Sequence, residues 1–220
     1  MSPPFPSPSA PSQVKLTDKR EHAFRAAGLF RLLTTLVFGI SLNVAAAAPF
    51  NGVDISHTKS YAQDFRLTDH DGRTRTLADF RGKAVVLFFG YLQCPNFCPI
   101  ALARLAETMQ LLGADAERVQ ILFVTLDPER DVPPALKEYV TSFNPAFLGL
   151  YDTPAATPDL ALRFRVYYRK IPGSTATTYT IDHAVFSYAY DPQGRLRLLL
   201  KDSLSAAELA ADLRRLSATR

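Results

Sequence analysis

Cysteine is scarce in this chain: 220 residues hold two, Cys94 and Cys98. Two cysteines make no disulfide scaffold. No internal repeat is visible, and the length leaves room for one well-cored domain and little for a second. A basic surface is also lacking where it would matter. The formal net charge is +4 and the pI about 9.1, yet residues 1–49 carry five basic and two acidic side chains, while the remaining 171 carry 20 and 19. No basic stripe interleaved with aromatics occurs in that larger part, so nucleic acid is not an expected partner. Long hydrophobic runs are missing too. The apolar stretch from Leu32 to Ala48 is 17 residues, the short limit for a membrane span, and Thr34, Thr35, Ser41 and Asn43 weaken it further.

What is present at the N-terminus reads as a leader. Residues 3–11 are Pro/Ser-rich, a composition that builds no packed core. Basic residues follow, and then Leu32–Ile40, the length of a signal-peptide apolar region, with the small residues Ala45-Ala46-Ala47 behind it. Positive charge before the run puts the N-terminus in the cytoplasm and residues 50–220 outside it. Residues 1–49 are therefore expected to be a cleaved signal or a retained membrane anchor, and residues 50–220 the folded, extracytoplasmic part. The long polar stretch before Arg31 is unusual for a signal peptide; initiation near Val14 or Leu16 would account for it.

The folded part alternates strands and helices. Phe65–Leu67 and Arg75–Leu77 flank the turn Asp69–Gly72, a hairpin signature. Lys83–Tyr91 and Val119–Leu126 are continuous apolar runs, as expected of strands buried on both faces. Pro99–Leu112 carries Leu102, Leu105, Met109 and Leu112 at helical spacing, with Pro99 suited to the first helical position and Gly113 to the stop. Helices are also expected over Pro134–Phe143 and Pro158–Tyr167, and strands over Phe147–Tyr151, Ile181–Tyr190 and Leu196–Leu200. Ser205 and Glu208 form a capping box opening a last helix through Leu216. This order predicts an α/β fold: a sandwich with a central mixed sheet and an N-terminal β-hairpin. A cysteine pair between the first long strand and its helix narrows it to a thioredoxin-like layout.

Cys94 and Cys98 sit at the carboxyl end of that strand, where sites gather in α/β sheets. The helix that follows directs free N–H groups and its positive dipole end at the loop, which favours thiolate. Three readings are open. An inert disulfide contributes little to a domain of this size. A redox-active pair would alternate between dithiol and disulfide. A metal site would hold its sulfurs about 4 Å apart, given bonds of about 2.3 Å, and the three-residue spacer allows that wider state. Two thiolates leave a soft cation short of ligands. His57, in a linker, and His70, in a hairpin turn, are expected to be solvated. His183, at the entrance of a late core strand, could reach the loop.

Four stretches resemble the Sco (SenC) family of copper chaperones that serve cytochrome c oxidase assembly: Gly90–Leu102 (GYLQCPNFCPIAL), Val124–Asp131 (VTLDPERD), Val166–Pro172 (VYYRKIP) and Tyr179–Gly194 (YTIDHAVFSYAYDPQG). Their order and spacing cover residues from about 62 to 212. The resemblance implies a thioredoxin-like fold and one copper ion, Cu(I) or Cu(II), held by Cys94, Cys98 and His183. It also implies a recipient, the CuA-bearing subunit of the oxidase, with other copper chaperones or thiol reductases as further partners. Asp182 and Asp127 are candidates to orient His183 or balance charge, and Tyr91 and Phe97 to shield the site.

Two positions depart from the family pattern. Gln93 precedes Cys94 where many members have His, and Asn96 stands where Asp is common; the ligand set is untouched. A rival function needs only the cysteines: a thiol–disulfide oxidoreductase, with Cys94 and Cys98 catalytic, that reduces the recipient's cysteines. The Asp182-His183 pair favours copper over that reading. A peroxidase is disfavoured, since the loop lacks the threonine-before-cysteine arrangement of peroxiredoxins.

Overall fold

A computed structural model describes residues 49–175 and 178–219. The Pro/Ser stretch and the apolar run of the leader lie outside the described residues. In chain order the strands are β1 (Val53–Asp54), β2 (Arg66–Asp69), β3 (Thr74–Thr76), β4 (Ala84–Gly90), β5 (Val119–Thr125), β6 (Leu148–Tyr151), β7 (Tyr168–Pro172), β8 (Tyr179–His183), β9 (Phe186–Tyr190) and β10 (Leu196–Lys201). The helices are α1 (Phe97–Leu112), α2 (Pro133–Phe143), α3 (Thr157–Arg163) and α4 (Ala206–Ser217). Eight strands form one sheet in the order β1-β10-β9-β4-β5-β6-β2-β3. Its centre, β4-β5-β6, is parallel, and both flanks are antiparallel. The expected thioredoxin-like α/β sandwich, with its mixed sheet and N-terminal hairpin β2–β3, is present. Among the described residues no helix is long and apolar enough to cross a membrane.

The unbroken apolar runs of β4 and β5 have a direct cause. Successive strand side chains point to opposite faces, and both faces are covered. Val86 and Phe88 with Ile121 and Phe123 pack under α1, α2 and α4, against Leu102, Leu136 and Leu213. Val85, Leu87 and Phe89 face the other way with Leu122 and Val124, against Leu160 and Phe164 of the α3 segment. Leu102, Leu105, Met109 and Leu112 of α1 are buried, each contributing roughly 1.5–3 kcal/mol. That anchorage makes the first turn of α1 a firm platform for the cysteine loop.

Several boundaries differ from the sequence-based expectation. Helix α1 begins at Phe97, so Pro99 is its third residue; the first-turn N–H groups lack intrahelical partners, and proline loses nothing there. Helix α3 stops at Arg163, short of Tyr167. Arg165 adopts φ +51°, and the N–H groups of Val166 and Arg165 donate to the carbonyls of Ala161 and Leu162 at 2.8 and 3.0 Å. This is a Schellman stop with arginine in the place usually taken by glycine, which hid it from the sequence. The chain then forms β7, which was not expected. The run Ile181–Tyr190, read as one strand, is two: β8 pairs only with β7 in a separate two-stranded sheet, and β9 enters the main sheet after a break at Ala184–Val185.

Candidate metal centre

Cys94 lies in the loop after β4 and Cys98 in the first turn of α1. Both are free thiols and both are buried. The Cys98 N–H donates to Cys94 Sγ at 3.4 Å, so the first sulfur takes the role of a cap acceptor for an otherwise unpaired helical donor. His183, the last residue of β8, brings Nε2 to 3.6 Å from Cys98 Sγ. The three donor atoms of Cys94, Cys98 and His183 all lie within 4.8 Å of one another. His183 therefore sits at the end of a small hairpin ahead of the core strand rather than at that strand's entrance.

The electrostatics of the two sulfurs are unequal. Cys94 has its pKa lowered to about 3, first by the Cys98 thiol that donates to it, and, against the cost of burial, by the His183 ring and the N–H groups of Cys98 and Asn96. Cys98 is pushed far above the ordinary thiol range by holding the proton it shares with Cys94 and by burial. Cys94 is thus the sulfur biased toward thiolate and Cys98 the one biased toward thiol. On His183, Nδ1 lies 2.9 Å from the Ala184 carbonyl. A carbonyl only accepts, so Nδ1 donates to it and Nε2 is the ring nitrogen turned toward the sulfurs.

The expected orienting carboxylates do not fill that role. Asp182 is exposed, because neighbouring residues of a strand face opposite ways. Asp127 accepts from the Tyr179 hydroxyl at 2.6 Å and pairs with Arg130; the Ala184 carbonyl orients the imidazole instead. The two aromatic candidates part company. Tyr91 is buried, its ring edge-on to His183 at 5.9 Å between centroids, whereas Phe97 is 54% exposed at the rim of the open pocket over the site. Neither of the other two histidines among the described residues joins this cluster. His57 is exposed. His70 is buried, not solvated: its Nδ1 accepts the Gly149 N–H at 3.1 Å, and that burial pushes its pKa down. The turn it occupies folds onto β6, a contact invisible in a local pattern.

Three residues beyond the expected set shape the site. Asp131 is buried, and its Oδ2 accepts the Thr125 hydroxyl at 2.6 Å and the Leu92 N–H at 3.0 Å, tying the start of the cysteine loop to the end of β5. Burial raises its pKa to about 6. Arg130 reaches across the site's edge and is taken up below. Gly90, the last residue of β4, faces Cys98: a Cβ there would come to 2.7 Å from Cys98 Sγ and 2.8 Å from Phe123 Cε2. Gly90→Ala is expected to overpack this point and lower stability by about 1–3 kcal/mol, read as a lower denaturant midpoint. An unchanged midpoint would mean that Cys98 and Phe123 can yield without cost. The string Val124–Asp131 held the signal for Arg130 and Asp131, but nothing in its spacing says what either residue touches.

A model of the family described as SCO1/SenC matches residues 53–218. The mitochondrial SCO2 homolog of Bos taurus is 35% identical over 197 residues, spanning 84% of this chain and 74% of its own. Among solved structures, copper-bound ScoI of Bradyrhizobium japonicum is 37% identical, with a TM-score of 0.64 over 70% of this chain and 97% of its own. Apo Sco1 of Thermus thermophilus is 35% identical, with a TM-score of 0.68 over 78% of this chain and 99% of its own.

Proposed function

The chain belongs to the SCO1/SenC family, and on that footing we propose that it is a copper metallochaperone that binds one ion through Cys94, Cys98 and His183 and delivers it to the CuA-bearing subunit of cytochrome c oxidase. The observation that carries the reading is the convergence of two sulfurs and one imidazole nitrogen within 4.8 Å. A trigonal site with bonds of about 2.0–2.3 Å needs a sulfur–nitrogen separation of about 3.7 Å, and Cys98 Sγ lies 3.6 Å from Nε2. Two thiolates suit Cu(I), and the imidazole extends the set to Cu(II). Copper is cargo here. Cys98 is fully buried while His183 is partly exposed beside an open pocket, so a recipient's donors meet the histidine side first and the deep sulfur lets go last.

The location follows from the leader: residues 1–49 export or anchor the domain, which works on the extracytoplasmic side. Other copper chaperones and thiol reductases are the remaining partners, supplying copper and keeping the sulfurs reduced. The test is direct. Reduced protein offered Cu(I) is expected to keep one copper per chain after desalting, and to pass it to the soluble CuA domain of the recipient. The Cys94→Ser/Cys98→Ser variant should keep none. Equal retention by that variant would sink the proposal.

A second reading, thiol–disulfide exchange with the recipient's cysteines, has one observation in its favour. A low-pKa Cys94 beside a buried, protonated Cys98 is the pairing of an attacking and a resolving thiol. This role needs no His183, which is what separates the two.

A further inference from the structure

We infer that Arg130 is a positioning residue: it latches the β7–β8 hairpin to the cysteine loop and thereby fixes His183 against the two sulfurs. Taking His183 as a metal ligand rests on the function proposed above; the latch itself does not. Arg130 joins three segments far apart in sequence. Its Nε pairs with Asp127, whose side chain is wholly buried. Its Nη1 donates to the Tyr179 carbonyl at 2.9 Å and to Gln93 Oε1 at 3.1 Å. Its guanidinium carbon stands 3.5 Å from the centroid of the Tyr179 ring, and the hydroxyl of that same tyrosine donates to Asp127 at 2.6 Å. One planar cation thus ties Gln93, beside Cys94, to Tyr179, at the start of the strand that ends in His183.

The latch matters because of how His183 is carried. The β7–β8 ribbon makes no ladder with the main sheet, and a lone two-stranded hairpin is marginal in water. It is held to the body by the buried Ile181 side chain and the Tyr168 and Tyr179 rings packed against the core, by the Arg130–Asp127–Tyr179 cluster, and by the Lys170–Glu129 pair at 2.6 Å. The last is exposed and contributes little. Ile181 gives depth without direction, whereas the guanidinium fixes orientation through its planar fork. Gln93 also acquires a role: its amide oxygen is the loop's end of the tie.

Two measurements test this. In copper-free protein, Arg130→Ala is expected to speed amide exchange in β7 and β8 by at least about tenfold over any change in β4 and β5, through selective local opening. In copper titrations the same change should weaken Cu(II) binding about 10- to 100-fold, as loss of a ligand's support does, with Cu(I) affinity changed much less. Arg130→Lys should not rescue either effect, because one ammonium cannot replace the stacked, forked contacts. Should Arg130→Ala fail to fold, Tyr179→Leu removes the ring and hydroxyl but keeps the Arg130–Asp127 pair, and the same hairpin-selective exchange is expected. Unchanged hairpin exchange overturns the latch, and so does an equal rise across the whole sheet. If His183→Ala leaves Cu(II) binding intact, the ligand reading falls, while the exchange data still judge Arg130.

Discussion

His183→Ala is expected to weaken Cu(II) binding by at least about 100-fold, since removal of a mere supporting group already costs 10- to 100-fold. The substitution removes an imidazole whose Nδ1 is held by the Ala184 carbonyl at 2.9 Å and leaves both sulfurs where α1 and the loop put them. Water is a poor substitute for imidazole on a borderline-soft ion. Cu(I) should suffer far less, because Cys94 and Cys98 can still bind it in a near-linear arrangement. Paired titrations in the two oxidation states, on wild type and variant, give the answer. His70→Ala is not a neutral control, since His70 is buried and accepts the Gly149 N–H; exposed His57 is, and His57→Ala should change neither affinity. A redox titration run beside them separates the functions. If His183→Ala binds Cu(II) as wild type does, the ligand assignment fails and the thiol–disulfide reading gains.

The second large effect concerns the sulfurs of the copper-free protein. Alkylation at pH 5 is expected to mark Cys94 alone, at a rate nearly flat up to about pH 8, where an ordinary thiol of pKa about 8.5 gains roughly tenfold per unit. The flat profile, not high speed, is the signature, since a thiolate of low pKa is a weaker nucleophile. Cys98, buried and holding the shared proton, should stay unmodified in the native state. Stability should follow the same protons. Below the unfolded pKa near 8.5 the unfolded chain keeps a proton that native Cys94, at about 3, has lost. Stability from Cys94 is thus full above about 8.5 and declines as pH falls toward 3. Cys98, raised, works in the opposite sense above about 8.5, so this pair's contribution peaks near there. Cys94→Ser should flatten the acid side of a denaturant-midpoint profile. Rates at both cysteines that climb together with pH would refute the asymmetry.

Much of this fold was legible because its signals are local. The runs that became β4 and β5, the stripe of α1, and the Ser205–Glu208 box of α4, whose two reciprocal bonds form, are patterns spanning a few residues. Where the local signal was absent or shared, the reading slipped. Arg165 closes α3 in a conformation better suited to glycine. Ile181–Tyr190 looks the same as one strand or two, and competition for pairing partners made it two. His70 sits in a polar turn, and only the approach of β6 buries it.

By itself the sequence marked out a cysteine pair with three residues between its members, placed between a doubly buried strand and a helix anchored by Leu102, Leu105, Met109 and Leu112. It left the partner of those sulfurs open until the motifs as a set were compared with a family. The tertiary structure decided that His183, 85 residues from Cys98, comes within 4.8 Å of both sulfurs, that a backbone carbonyl rather than Asp182 or Asp127 aims it, and that Arg130 spans 37 residues back to Gln93 and 49 forward to Tyr179. The reason is physical. Helix caps, turns and strand alternation are fixed by interactions within a turn or two of chain, and residue types record them directly. A contact between distant segments exists only once the sheet order has been set, and no pattern within either segment encodes it.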